Sequence, residues 1–384
     1  MQSIPSVVDS ARIVRIEWAR LTGRRPRMAG CNARLAVHGI EVRPPIVRIT
    51  TGEGATGWGR AQLTQEQAFQ FIGRPLREAF LDGMRIAPEF VALEYPLLDL
   101  AGRLAGLPVY ALVSGREPSG EPLRVPCYDT SLYIDDLHLT DDAAAAALIA
   151  AEAREGYERG HRSFKIKVGR GALHMPLEEG TRRDIAVVHA VREAVGPEAT
   201  ILLDANNGYN FNLTRRVLAE TAAARPFWME EPFHEDGELY RRLKDWMARE
   251  GLTVLIADGE GLASPRLLDW AQQGLVDVIQ YDIFSPGFSR WLELGPQLDA
   301  WNVRSAPHHY GGFYGNYASP HLAAVIRRFT FVEWDEATVP GIDTSRYRIV
   351  EGYVEVPNSP GFGLELDEQF FAQAVREGGF MVEA

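Results

Sequence analysis

At 384 residues the chain exceeds the usual size of one domain but fits an α/β barrel joined to a smaller unit. With 46% apolar and 24% charged residues it has the composition of an ordinary globular protein, and no apolar run approaches the roughly 20 residues of a membrane span. The net charge of −12 argues against nucleic acid as a partner, since phosphate backbones attract basic surfaces. Cys31 and Cys127 are the only cysteines, too few for a disulfide framework or a four-cysteine zinc site, and both are expected to be buried thiols. The opening stretch MQSIPSVVDSARIVRIEW lacks the basic and apolar blocks of a secretory leader, so a cytoplasmic location is expected.

In chain order, residues 12–18 and 45–51 read as strands, followed by the turn GEG and the strand GATGWGRAQL. Apolar spacing predicts helices over about 65–81 and 88–105, the second ending at Gly106 before Pro108. This opening reads as an α+β unit. From residue 124 the rhythm becomes strand, loop, helix. Eight strands are predicted, at 125–134, 163–168, 200–206, 227–232, 253–260, 277–283, 303–309 and 329–336. Eight strands with intervening helices point to a β/α barrel. The expected division is 1–123 for the cap, 124–345 for the barrel and 346–384 for a segment returning to the cap.

In such a barrel the chemistry sits at the C-terminal ends of the strands. Those ends carry Lys165 and Lys167, Asp204 and Asn206, Glu230 and Glu231, Asp258 and Glu260, Asp282, His308 and His309, and Glu333. A single acid at a strand end is more often a helix cap or a solvated loop residue. Carboxylates converging from consecutive strands would repel one another unless a cation neutralises them, and an all-oxygen donor set suits Mg²⁺ or Mn²⁺. Lys165 and Lys167 are two residues apart, so they share a face of their strand. The second ammonium and a metal would each lower a lysine pKa towards that of a general base. Asp282 and His308 lie on adjacent strands, where a carboxylate on one ring nitrogen would make the other a proton carrier.

These motifs together resemble the enolase superfamily, in its mandelate racemase and muconate-lactonizing branch. The resemblance rests on the turn GWG at Gly57–Gly59, the helix LDLAGRLAGLPVYAL, and then FKIKVG, LLDANNGYN, WMEEPF, IADGEG, IQYDI, SAPHHYGG and FVEWDE in order. It covers nearly the whole chain and includes the tail GYVEVPNSPGFGLELDE. It implies a modified (β/α)7β barrel with an N-terminal α+β cap completed by the C-terminal segment. It implies Asp204, Glu230 and Glu260 as metal ligands, with Asp258 as an alternative to Glu260 because the fourth β/α unit is long. Lys167 matches the catalytic lysine, and Lys165 its neighbour at the substrate carboxylate. Asp282 and His308 match an acid–base dyad, with His309 as the alternative histidine. Glu333 matches a group that hydrogen-bonds the developing enolate, expected here in its protonated form, and Asn206 a residue near the metal. Tyr281 stands where a proline often precedes the strand-six aspartate.

The implied chemistry is removal of the proton α to a carboxylate. Each unit of pKa mismatch costs about 1.4 kcal/mol, so even ten units would cost roughly 14 kcal/mol. A divalent cation on the substrate carboxylate offsets such a cost. The expected reaction is Mg²⁺-dependent dehydration of a sugar acid, an aldonate or aldarate, through an enediolate to a 2-keto-3-deoxy acid. The alternatives are racemisation or epimerisation of a 2-hydroxy acid and, third, a binding protein with a retained site. Arg24, Arg25 and Arg27, in a stretch read as a cap loop, are candidates for the far end of the substrate, although they read equally well as solvated surface residues. Small-molecule carboxylic acids, no nucleic acid, no membrane and a homo-oligomer are the expected partners.

Overall fold

The computed structural model describes residues 11–384; the first ten, read above as part of a chain start without a leader pattern, lie outside the described residues. The cap begins with β1 (Ile13–Arg20), β2 (Gly23–Ala29), β3 (Gly39–Val42), β4 (Pro45–Thr51) and β5 (Thr56–Arg60). The strands β1, β4 and β5 form an antiparallel sheet, while β2 and β3 pair separately as a hairpin. The helix predicted at 65–81 is shorter than expected. Only α1 (Gln65–Phe69) is α-helical, opened by a capping box between Thr64 and Gln67. Gly73 at φ 79° and Pro75 then break it. The second predicted helix starts as a 3₁₀ turn at Pro88–Leu93 and becomes α2 (Glu94–Ala105), which Gly106 ends in the left-handed conformation. A short α3 (Val109–Ser114) leads into the barrel.

The barrel strands are β6 (Leu123–Leu132), β7 (Ser163–Lys167), β8 (Thr200–Asp204), β9 (Pro226–Glu230), β10 (Leu255–Asp258), β11 (Val278–Ile279), β12 (Arg304–Ser305) and β13 (Val332–Trp334). Between them run α4 (Asp142–Glu158), α5 (Leu177–Val195), α6 (Phe211–Glu220), α7 (Gly237–Glu250), α8 (Leu267–Gln272), α9 (Phe288–Ala300) and α10 (Gly315–Ala318). All neighbouring barrel strands are parallel. Pairing of β13 with β6 and a bridge between Ser305 and Phe329 close the ring. The later strands are shorter than predicted. The chain turns out of β10 at Gly259, whose φ of 126° few other residues adopt, and pairing resumes beyond β11 and β12 as a single bridge between Asp282 and His308.

The tail supplies β14 (Ile342–Asp343), β15 (Arg348–Val350), β16 (Tyr353–Val356), β17 (Glu365–Leu366), α11 (Glu368–Gly378) and β18 (Phe380–Glu383). Part of it stays with the barrel, since β16 runs antiparallel to the start of β6. The end of it joins the cap sheet, since β18 lies antiparallel to β1. Both cysteines are free and buried. Among the described residues no helix is long and apolar enough to cross a membrane.

The barrel interior is layered. Its floor is a cluster of Tyr128, Leu202, Trp228, Ala257, Val278, Ala306 and Phe331. Two positions further along the same strands, and therefore on the same face, stand Thr130, Asp204, Glu230, Gly259, Gln280, His308 and Glu333. A packed apolar floor thus carries a polar layer at the C-terminal mouth of the barrel.

Candidate active site

The polar layer brings three carboxylates together. Oxygens of Asp204, Glu230 and Glu260, one from each, all lie within 4.8 Å of one another. Asp204 and Glu230 are buried and pair across adjacent strands, while Glu260 follows the Gly259 turn. Asp258 is not among the clustered carboxylates and is engaged elsewhere. Its two oxygens accept from the Tyr240 hydroxyl at 2.5 Å and the Gly259 amide at 2.7 Å.

Two ammonium groups sit among these acids. Lys165 Nζ donates to Glu230 at 2.9 Å and lies 3.3 Å from both Asp204 and Glu333. Lys167 Nζ donates to Asp204. Burial would lower both lysine pKa values, but Glu230 at Lys165 and Asp204 at Lys167, carboxylates that a cation would neutralise, outweigh it and raise both. With those charges taken up by a cation, burial and the neighbouring ammonium would act in the direction of a general base. Glu230 is pushed up by burial and by Asp204, whereas Asp204, despite burial, is pulled down by the two lysines.

The residues fit a hard divalent cation. Buried Oε2 atoms of Glu230 and Glu260 and the Oδ1 atom of Asn206 have no hydrogen-bond partner among the described residues. Two lysines do not balance the carboxylates, and oxygen is the only donor type in the triad. The Asn206 amide nitrogen is turned away, donating to Glu231 at 3.2 Å. Asn206, Asn207 and Glu231 all have positive φ, at 43°, 59° and 43°. Three strained non-glycine residues at adjacent strand ends are the kind of cost that functional sites carry.

On the other side, His308 Nδ1 lies 3.1 Å from Asp282, and His308 Nε2 lies 3.5 Å from Glu260. Burial opposes protonation of this ring, but Glu260, Glu333 and Asp282 together raise its pKa to about 10. His309 is buried behind it, with no partner for either ring nitrogen among the described residues. Its backbone amide, with that of Tyr310, donates to Glu333 at 2.8 and 2.9 Å. Glu333 also accepts from Thr130 at 2.8 Å. These donors overturn the expectation of a protonated Glu333. Burial would raise its pKa, but Lys165, the histidines and the amide bonds hold it well below the carboxylate range, so it is an acceptor.

A cavity of about 360 Å³ opens over this layer, lined on the barrel side by Lys167, Glu260, His308, Tyr133 and Tyr310. Its other wall comes from the cap hairpin, through Arg25, Asn32, His38, Glu41 and Arg43. The stretch read as a cap loop is in fact strand β2, and its alternation decides which arginine points inward. Arg24 is exposed and lies outside the cavity lining, whereas Arg25 is buried and donates to Asp335 at 2.8–3.1 Å. Arg27 reaches Ser131 and the α4 glutamates. The sequence reading missed His38, Tyr133 and Tyr310. Tyr133 and Tyr310 lie next to strand-end motifs, and His38 had only its place between two cap strands to mark it.

A family model described as "Enolase C-terminal domain-like" matches residues 148–370, more than half of the chain. The chain belongs to the enolase superfamily. Within that superfamily it is similar to a mandelate racemase/muconate lactonizing protein from Geobacillus sp. Y412MC10, solved with magnesium and tartrate. The two are 50% identical with a TM-score of 0.97 over the full length of both chains. It is also similar to a galacturonate dehydratase from Geobacillus sp., solved with D-galacturonate and 5-keto-4-deoxy-D-galacturonate. Identity there is 51% and TM-score 0.93, over 97% of this chain and 99% of that one. D-gluconate dehydratase of Thermoproteus tenax is 27% identical over 354 residues, covering 84% of this chain and 68% of that protein. The enolase-superfamily barrel and its N-terminal cap are therefore those expected from the sequence.

Proposed function

We propose that this enolase-superfamily chain is a Mg²⁺-dependent dehydratase of sugar acids, and that its substrate is a hexuronate. The carrying observation is one cavity that holds, side by side, a carboxylate triad suited to a cation, the Lys167 ammonium and the His308–Asp282 pair. The aldonate or aldarate expected from sequence gives way to a uronate because the galacturonate dehydratase, at 51% identity, was solved with one. All three classes share the reacting unit, a carboxylate beside a carbon bearing hydrogen and hydroxyl, followed by a second hydroxylated carbon.

Asp204, Glu230 and Glu260 would hold the cation, and Mg²⁺ bound there would neutralise the substrate carboxylate and the charge that grows on it as the α-proton leaves. The chain's own groups do the rest. Lys165 stands at the carboxylate end, fixed by Glu230 and by Glu333, which two backbone amides and Thr130 hold in place. Lys167 removes the α-proton. His308, oriented through Nδ1 by Asp282, presents Nε2 to the cavity and delivers a proton to the departing β-hydroxyl. Collapse of the enol gives the ketone next to the carboxylate. For D-galacturonate that removes hydrogen from carbon 5 and hydroxyl from carbon 4, which gives a 5-keto-4-deoxy acid. The hairpin wall, including Arg25, limits water at the reacting carbon.

The test is to incubate the protein with Mg²⁺ and a panel of uronates, aldonates and aldarates in deuterated water, following keto acid by absorbance and deuterium by NMR. Keto acid from a uronate is the expected result. Exchange of the α-proton with no keto acid from any member would replace dehydration with racemisation or epimerisation. His308→Asn should stop dehydration while leaving exchange through Lys167. Exchange lost in His308→Asn but kept in Lys167→Ala would make the histidine the base.

A further inference from the structure

We propose that His38 of the cap hairpin opens the cyclic hemiacetal of the uronate, so that the chain carries an aldose ring-opening activity beside dehydration. The inference rests on the uronate reading above. It starts from a chemical demand. A hexuronate in water is mostly a pyranose, in which the oxygen on carbon 5 is the ring oxygen and is bonded to carbon 1. Elimination from that form would leave an unsaturated ring ether. A ketone at carbon 5 requires that oxygen to be a free hydroxyl. The ring must therefore open before the proton on carbon 5 is removed.

The cavity holds one imidazole built for that step and unused by the dehydration chemistry. His38 Nδ1 lies 2.8 Å from the Gly30 carbonyl, which only accepts, so Nδ1 carries the hydrogen and Nε2 the lone pair. Nε2 makes no hydrogen bond among the described residues. The ring is clamped by Tyr133 and Tyr310, with centroids 4.8 and 5.7 Å away. Burial lowers its pKa, and Lys167 and Arg25 reinforce the shift against the opposing Gly30 bond, so the ring is a neutral base at neutral pH. It stands on the cap wall, and the groups that hold and react with the carboxylate end stand on the barrel wall of the same cavity. Carbon 1 is the end of a hexuronate remote from the carboxylate.

The step balances without a co-reactant. His38 Nε2 takes the proton of the anomeric hydroxyl, and carbon 1 becomes an aldehyde. The bond from carbon 1 to the ring oxygen breaks, its pair goes to that oxygen, and a proton from water completes the hydroxyl. The imidazolium returns its proton to water. Nothing is oxidised or reduced.

Two measurements test this on the Mg²⁺-loaded full chain with D-galacturonate. Lys167→Ala does not consume the sugar and should speed interconversion of its α and β anomers, read by exchange NMR, in proportion to enzyme added. Adding His38→Gln to that variant should cut the acceleration by roughly 100-fold, the low end of what a positioned acid–base group supplies. Separately, His38→Gln alone should turn over the spontaneously opened sugar. Its rate should level off as enzyme is raised, while the wild-type rate keeps rising, and that residual turnover shows the variant is folded. Anomer exchange unaffected by His38→Gln, or no acceleration by Lys167→Ala, overturns the proposal. Failure of the wild type to form keto acid from any uronate is a different result and removes the uronate reading instead.

Discussion

Two clusters of buried charge lie a few residues apart in this chain, and they are built on opposite principles. Beyond β7, Arg170 and Arg183 face Asp136 and Asp184. The two Asp136 oxygens accept only from the arginines, and the Asp184 oxygens accept from Arg170, the Gly169 amide and Tyr209. Charge is balanced there and every oxygen of Asp136 and Asp184 has a partner. At the barrel mouth, Lys165 and Lys167 face Asp204, Glu230, Glu260 and Glu333, and the Oε2 atoms of Glu230 and Glu260 have no hydrogen-bond partner among the described residues. Burial of charge alone therefore says little about function. The surplus of one sign and the orphaned oxygens mark the site.

The comparison breaks if the two clusters respond alike to mutation. Lys167→Ala should lower kcat/KM by about 10⁴, the upper range for a general acid–base group, yet keep its unfolding midpoint in Mg²⁺. Arg170→Ala should do the reverse. It leaves buried Asp184 without its cation and Asp136 with Arg183 alone, and should cost about 3–5 kcal/mol in a denaturant titration. Equal loss of stability in both variants would remove the distinction.

Trp228→Ala probes the floor beneath the mouth. It empties a fully buried site at the barrel centre and should cost about 3–5 kcal/mol by the same titration. A cost below about 1 kcal/mol, the range of a near-neutral core swap, would mean that the floor does not support the polar layer.

Mg²⁺ should sharpen the contrast. At 100 times its Kd it should stabilise the wild type by about 2.7 kcal/mol, read as a raised unfolding midpoint that a chelator reverses. Glu260→Gln should lose most of that gain, whereas Asp258→Asn should keep it. The opposite ranking would exchange the third ligand.

A further effect lies at the junction of cap, barrel and tail. His321 is buried and neutral, its pKa pulled down by burial to about 3. Its Nδ1 accepts from the Tyr110 amide, and its Nε2 lies 2.9 Å from the Tyr347 hydroxyl. A base whose folded pKa lies below its unfolded value of about 6.5 stabilises above that value and loses its contribution as pH falls towards 3. Unfolding free energy measured from pH 7 to 4 should fall less steeply in His321→Gln than in the wild type. Parallel slopes would refute this origin.

The barrel was legible because its strands repeat one device, an apolar run ending in a polar group at the mouth. That repetition makes Asp204, Glu230 and Glu260 visible without coordinates. Spacing could not separate Asp258 from Glu260. The Gly259 turn and the Tyr240 hydroxyl favour Glu260, and both depend on tertiary packing. The cap hairpin was hidden for a different reason. Arg24 and Arg25 are chemically identical, and only the pairing of β2 decides which faces inward. The protonation of Glu333 was misjudged because two of its donors are backbone amides, which no side-chain pattern reveals.

The two-residue offset between floor and mouth also sets a division of labour for change over time. Asp204, Glu230 and Glu333 each stand on the order of 6.6 Å along their strands above a floor side chain, so the floor acts as a levelling plate for these three acids. A lineage could adopt a new acid by rewriting the β2–β3 hairpin, because that wall lines the cavity opposite the barrel groups and carries none of the carboxylate triad. Rewriting the plate would tilt several carboxylates together, so tuning of metal affinity and tuning of substrate choice are left to different stretches of the gene.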